Sequence, residues 1–429
     1  MTTTARPSPP PTTMSTAFRQ LPFMGVIRVN NEAMKAGWKM GAPDWANLGQ
    51  GQPEVGELEG APARFDQLEI DIPDHGYGPV EGIPELREAV AAHYNRLYRK
   101  NHPSQYTAAN VMIAPGGRAA LTRIGAALDN ITLGYFTPDY TAYEDLLVTF
   151  SRIKPTWIEL KPEKGFKIPT EELDARIVKD KIGALLISNP CNPTGAVVSG
   201  RELAAWTEIA RTRGCTLLMD EFYSHFSFND GRVRPPISAA QCVREVNTDP
   251  VVIIDGLTKC FRYPGWRVGW VVAPEPIIQA LTAAGSFLDG GPSRPIQRAA
   301  VEVLEPKRAD QETQAMAKEF AIKQHLTITA LRAMGIEVPG KPEGTFYVFG
   351  SIAKLPAPLN DGQAFMYEAF KHKVLTVPGE FFDVNPNKGR AGVSPLSTFV
   401  RFSFGPPRAV LEGGLKRLAE MVARHSGKV

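Results

Sequence analysis

Lys259 sits in the run Gly256-Leu257-Thr258-Lys259-Cys260, and Arg267 follows eight residues later within Pro264-Gly265-Trp266-Arg267-Val268-Gly269. Upstream stand Asn189-Pro190-Cys191-Asn192-Pro193-Thr194-Gly195 and Asp220-Glu221-Phe222-Tyr223. A primary amine, a planar cation, an amide, a carboxylate and a phenol therefore recur in one chain. That set meets the needs of pyridoxal 5'-phosphate. Lys259 can form a Schiff base with the cofactor aldehyde, and Asp220 can keep a pyridine nitrogen protonated. Asn192 and Tyr223 can hydrogen-bond a ring hydroxyl, and Arg267 can grip a phosphate as a bidentate fork. Taken singly, a lysine after a strand is usually a solvated surface group, and Asn-Pro with Thr-Gly is usually a turn. It is their shared order and spacing that raises the set above coincidence.

In these motifs the chain resembles the class I and II aminotransferases, the fold type I group of pyridoxal-phosphate enzymes, from about Asn47 to Phe404. The resemblance implies a large α/β domain with a mostly parallel sheet flanked by helices, plus a smaller α+β domain. It places Ala114-Pro115-Gly116-Gly117-Arg118-Ala119-Ala120-Leu121 at the phosphate cup, where backbone N–H groups and a helix dipole receive the anion. Gly117 and Arg118 are then cofactor residues, although Arg118 stands where relatives commonly have a small hydroxyl residue. It either adds a phosphate contact or points away. Tyr140, two residues after Pro138, takes the place of the aromatic that stacks on the pyridine ring. Thr258 keeps a hydroxyl beside Lys259, whereas Gly256 occupies a position at which several relatives carry a phosphate-binding serine.

The segment His75-Gly76-Tyr77-Gly78-Pro79 is similar to the one whose tyrosine reaches the phosphate of a partner subunit, which implies a homodimer with shared sites through Tyr77. On the substrate side, Arg401 in Val400-Arg401-Phe402-Ser403-Phe404 resembles the arginine that binds the α-carboxylate, a task suited to a planar, permanently charged fork. Asn192 also belongs to the substrate side. Gly51 falls in Asn47-Leu48-Gly49-Gln50-Gly51, which matches a loop that closes over substrate, glycine allowing close backbone approach. Pro342 to Tyr347 and Val377 to Gly379 are similar to small-domain segments of the family.

These groups need elements to position them. Short apolar runs at Val111 to Ala114, Gly134 to Thr137, Leu185 to Ser188, Thr216 to Met219, Val251 to Ile254 and Val268 to Val272 read as buried strands, alternating with amphipathic helices. Asn192, Asp220 and Lys259 each follow such a run by a few residues, and open α/β sheets bind ligands at the carboxyl ends of their strands. Pro84 predicts a helix start, with Leu86, Val90, Tyr94 and Leu97 on one face. Ser199 with Glu202 predicts a capping box before Leu203, Trp206 and Ile209, and Gly214 predicts the stop. From about residue 310 a long helix, short strands and a final helix over Val410 to Arg424 read as a smaller domain. The expected division is a disordered tail over 1–20, an N-terminal arm and part of the small domain over 21–60, a large domain over 61–309 and a small domain over 310–429.

Length and composition set the outer limits. A chain of 429 residues suggests two domains, and 43% hydrophobic with 22% charged residues is ordinary for a globular enzyme. A net charge of +3, spread along the chain, points away from nucleic-acid or membrane surfaces and toward small charged metabolites. Cys191, Cys215, Cys242 and Cys260 and the seven histidines show no metal-ligand spacing, so no metal is expected, and reduced thiols suit the cytoplasm. Met1 to Met14 is rich in Thr and Pro without an apolar stretch, unlike a secretory signal, and no run is long enough to span a bilayer.

The resemblance implies an aminotransferase of amino-acid metabolism that moves an amino group between an amino acid and a 2-oxo acid in two half-reactions on one cofactor. The same framework also hosts elimination or replacement, racemisation, oxidation and ring-forming chemistry on S-adenosylmethionine, and a non-catalytic binding protein could retain it. An intact Lys259 weighs against the last. No second arginine is evident for a side-chain carboxylate, and Ser286-Phe287-Leu288-Asp289-Gly290-Gly291 is unusual where the family places partner-subunit specificity groups.

Overall fold

The computed structural model describes residues 23, 25–229 and 231–427. The tail expected over 1–20 lies outside them. Seven strands form the central sheet, in the spatial order Val111–Ala114, Gly269–Val272, Val251–Gly256, Thr216–Asp220, Ile182–Ser188, Ile131–Thr137 and Ile153–Glu159. All neighbours are parallel except Gly269–Val272, which runs antiparallel to both of its own. Strands covered on both faces should be apolar almost throughout, and Val251–Gly256 and Val111–Ala114 are buried at every position.

The sheet has a seventh strand that the apolar runs do not announce. Ile153–Glu159 pairs on one side only, and its sequence IKPTWIE carries an exposed Lys154, an exposed Glu159 and a proline. Proline lacks the N–H of a ladder bond and is confined to such edges. The six expected strands are present, with Ile131–Thr137 and Ile182–Ser188 starting three residues earlier than the apolar core of each run suggests.

Helices cover the sheet. Pro84–Tyr98 begins at its proline and buries Leu86, Val90 and Tyr94. Gly200–Arg213 ends at Gly214, which takes the left-handed conformation (φ 65°) that glycine adopts without strain. Its start differs from expectation: Ser199 sits at the cap without making the side-chain bond, and Glu202 faces Lys167 at 3.8 Å instead. The capping box is therefore not formed.

A second, antiparallel sheet orders Tyr347–Ser351, Phe399–Ser403 and Val377–Pro378. The 28-residue helix Pro306–Ala333, about 42 Å long at 1.5 Å per residue, packs against the last helix, Arg408–His425. Near the N-terminus, Ala46–Asn47 pairs in parallel with Val374–Leu375, tying the early chain to this C-terminal region. Among the described residues no helix is long and apolar enough to cross a membrane.

Candidate active site

Five strand ends converge on one edge of the large sheet. Ala114 leads into Gly117, Thr137 into Tyr140, Ser188 into Asn192, and Gly256 into Lys259, while Asp220 is itself the last residue of its strand. The antiparallel strand begins at that same edge, since Gly269 stands between Ala114 and Gly256 in register, and so Arg267 arrives there too. A cavity of about 1000 Å³ opens at this edge. Of the cofactor- and substrate-binding residues assigned from the sequence, all but Tyr77 line it. That side chain is 100% exposed and takes no part in its own chain's cavity.

The Lys259 amine donates to the carbonyl of Gly51. Burial, reinforced by Arg401, Arg118 and Arg267, lowers its pKa to about 7, with Asp220 acting weakly in the other direction. A large share of the amine is therefore neutral at pH 7, as nucleophilic attack on a carbonyl requires. Asp220 moves the opposite way. Burial raises its carboxyl to about 6, while Tyr143, whose hydroxyl donates to Oδ2 at 2.7 Å, holds it from rising further. At neutral pH it remains largely ionised, able to face a protonated ring nitrogen.

Glycines shape the wall of the cavity beside Arg267. Gly116 caps the helix Gly117–Ala127 with φ 87°, and a Cβ on it would fall 2.2 Å from Arg267 Nη2. A Cβ on Gly117 would meet the Phe222 ring at 2.3 Å. The guanidinium is thus laid against bare backbone at a helix N-terminus, a setting for an anion. Gly256 has no room for the serine that several relatives carry, because its Cβ would fall 2.5 Å from the Val268 carbonyl. Arg118 points into the cavity, its Nε donating to the Tyr140 hydroxyl at 3.2 Å.

On the opposite wall, Arg401 is buried with its Nη1 on Asn192 Oδ1 at 3.0 Å and Nη2 on the Gly49 carbonyl at 2.8 Å. Its charge lies over the Tyr347 ring at 4.0 Å, and its buried Nε has no partner among the described residues. No carboxylate pairs with it there. Burying a cation without an acid is costly, so this side chain is set to receive an anion. Lys259, Arg118, Arg267 and Arg401 face the cavity against the single carboxylate of Asp220. Such an excess suits a ligand bearing both a phosphate and a carboxylate. A cofactor with an aldehyde, a basic ring nitrogen and a phosphate fits these residues.

Two groups of the site escape sequence reading. Tyr143, on the helix Ala142–Thr149, holds Asp220, and Tyr347 bonds the Tyr223 hydroxyl at 3.0 Å while stacking under Arg401. The one available signal for Tyr143 is its position three residues after Tyr140, which brings the two rings edge to face at 5.5 Å between centroids. Among the described residues no cluster of three or more metal-ligating side chains occurs.

Residues 43–418 match the family model described as aminotransferase class I and II. The aspartate aminotransferase of Pyrococcus abyssi is 28% identical over 387 residues, covering 89% of this chain and 92% of that protein. A probable aspartate/prephenate aminotransferase of Aquifex aeolicus is 27% identical, covering 80% and 82%. The crystal structure of an aromatic aminotransferase from Pyrococcus horikoshii superposes with a TM-score of 0.71 at 26% identity, covering 93% of this chain and 100% of that one. A match spanning both sheets and every strand end that feeds the cavity leaves one assignment: the chain belongs to the class I and II aminotransferase family.

Proposed function

We propose that this aminotransferase works with pyridoxal 5'-phosphate, passing the amino group of an amino acid to a 2-oxo acid in two half-reactions. The observation that carries the reading is a lysine amine lowered to about 7 facing, across one cavity, a buried arginine that lacks an acid partner. The cofactor, when bound, supplies the carbonyl that accepts the amino group and the electron sink that acidifies the substrate Cα–H bond. The chain does the rest. Asp220, buttressed by Tyr143, would pair with the ring nitrogen, and Tyr140 would stack on the ring. Tyr223 and the Asn192 amide N–H, whose Oδ1 is already taken by Arg401, would hydrogen-bond the ring hydroxyl. Gly117, Thr258 and Arg267 would hold the phosphate, with Arg118 beside them.

Substrate binding follows from the same charges. Arg401 would take the α-carboxylate, and Lys259 would move a proton to and from the substrate Cα as general base and acid. Gly51 closes over the substrate as part of its loop. Aspartate and the aromatic amino acids, for which relatives are named, differ in side chain but share the α-amino and α-carboxylate groups that Lys259 and Arg401 address. We further infer a homodimer in which Tyr77 reaches the phosphate of the neighbouring site. The division into a large domain over 61–309 and a small domain over 310–429 would then let Arg401 approach Lys259 as the loop closes. Four unpaired cysteines support a cytoplasmic enzyme.

A panel of amino acids tests the reaction. Added to holoenzyme without an acceptor, the right donor should release one keto acid per site and leave the cofactor as its amine, and a 2-oxo acid should then restore the aldehyde. Sustained turnover without acceptor would contradict transamination.

A further inference from the structure

Arg262 lies three residues beyond Lys259 and is fully buried. Its backbone is left-handed, with φ 58°, a strained region for a residue with a Cβ that persists only where the surroundings fix it. Nε and Nη2 fork onto Glu312 of the long helix at 2.5 and 3.3 Å. Nη1 donates to the carbonyls of Glu54 at 3.2 Å and Gly56 at 2.8 Å. Arg64 in turn donates to the Arg262 carbonyl at 2.6 Å, so the residue is held through both its side chain and its backbone.

The two carbonyls lie in the loop that meets the active lysine. Gly51, three residues before Glu54, presents its own carbonyl to the Lys259 amine. A closed path results: along the chain from Lys259 to Arg262, across to Glu54, back along the chain to Gly51, and across to Lys259 again. Glu54 is also fastened at the far side of the site. Its N–H donates to the Gly405 carbonyl at 2.8 Å, and its carboxylate receives the buried Lys323, which also donates to the Pro406 carbonyl at 2.7 Å. Gly405 and Pro406 follow closely on the strand that carries Arg401. One short loop is therefore tied to the lysine turn at one end and to the arginine strand at the other.

We propose that Arg262 is a positioning residue: by clamping the loop 51–56 between these segments it sets the separation of Lys259 and Arg401, and so the capture of an α-amino acid at both of its ends. The proposal rests on the roles proposed above for those two residues. Geometry, more than charge, is what the clamp supplies. A planar fork reaches Glu312 and two carbonyls at once, whereas a lysine in its place would keep the ion pair and lose the span.

L-Alanine is a suitable probe because it offers an amine and a carboxylate with almost no side chain. With holoenzyme, Arg262→Lys should retain cofactor and fold while raising the half-saturating L-alanine concentration by about tenfold or more and leaving the maximal rate within about threefold. Arg262→Met should raise that concentration at least as far. A second measurement needs no turnover: the pH midpoint for methylation of Lys259 in the apoprotein, which burial sets near 7, should climb in both variants as the loosened loop admits water. Unchanged half-saturation together with an unchanged Lys259 midpoint in Arg262→Lys would overturn the clamp. If the wild-type protein converts no amino acid, the reading of the reaction fails instead, and the Lys259 midpoint in the apoprotein still decides the role of Arg262.

Discussion

Burial and three arginines hold the Lys259 amine at a pKa of about 7, against 10.5 for an ordinary lysine. Between those values the unfolded chain binds more protons than the folded one, so the contribution of this residue to apoprotein stability rises with pH across that window. Below about pH 7 the fold must bury a cation beside other cations; above it, a neutral amine. Lys259→Met removes the group, and by calorimetry it should melt above the wild-type apoprotein at about pH 6 and lose that advantage as the pH approaches 10. A difference that stays flat with pH would mean the amine is solvated in the folded protein and titrates like an ordinary lysine. The type and order of such residues can be read from the chain, because Lys259, Asp220 and Asn192 each follow a recognisable apolar run and Arg267 directly precedes one. Their partners cannot. Tyr143 meets Asp220 across 77 residues and Tyr347 meets Tyr223 across 124, contacts that arise only when separate strand ends are brought to one edge.

At the scale of elements, the absence of a side chain does as much as its presence. Gly256 ends a strand between the carbonyl of Val268 and the Cα of Gly269, which an added Cβ would approach to 2.5 and 2.7 Å. Gly256→Ser would supply the hydroxyl that several relatives use, yet it should not strengthen phosphate binding here, because it must first push two strands apart. Overpacking of this kind typically costs ~1–3 kcal/mol, so the variant should melt lower and hold cofactor less tightly, as thermal melts and cofactor titration would show. A variant as stable as the parent, with tighter cofactor, would show that the strand yields easily. The buried strands were evident as apolar runs because both faces of a covered sheet select the same residue types. The edge strand Ile153–Glu159 was not, since one open side lets Lys154, Pro155 and Glu159 break the run. Direction is equally hidden: nothing in Gly269–Val272 distinguishes an antiparallel strand from a parallel one, although that reversal is what returns Arg267 to the site.

For the molecule as a whole, the informative residue is the one that the chain leaves outside its own site. Tyr77 is 100% exposed, and Ile72 nearby is 87% exposed, as is Phe287 at 72% on another segment. Large apolar side chains left in water are a reason to expect a covering surface, and a symmetric pair would cover the same residues on both chains. Tyr77 can serve the neighbouring cavity only if each site draws Lys259 from one chain and Tyr77 from the other. Mixed dimers separate this arrangement from a self-contained site. Co-expressed Lys259→Ala and Tyr77→Ala chains, pairing at random, should give dimers of which about half are mixed, each with one complete site that neither variant can build alone. Activity in the mixed preparation should therefore exceed the sum of the two separate variants at equal chain concentration. If Tyr77 acted within its own chain, both sites of a mixed dimer would stay damaged and the activities would only add. Sedimentation showing an active monomer would remove the shared site altogether.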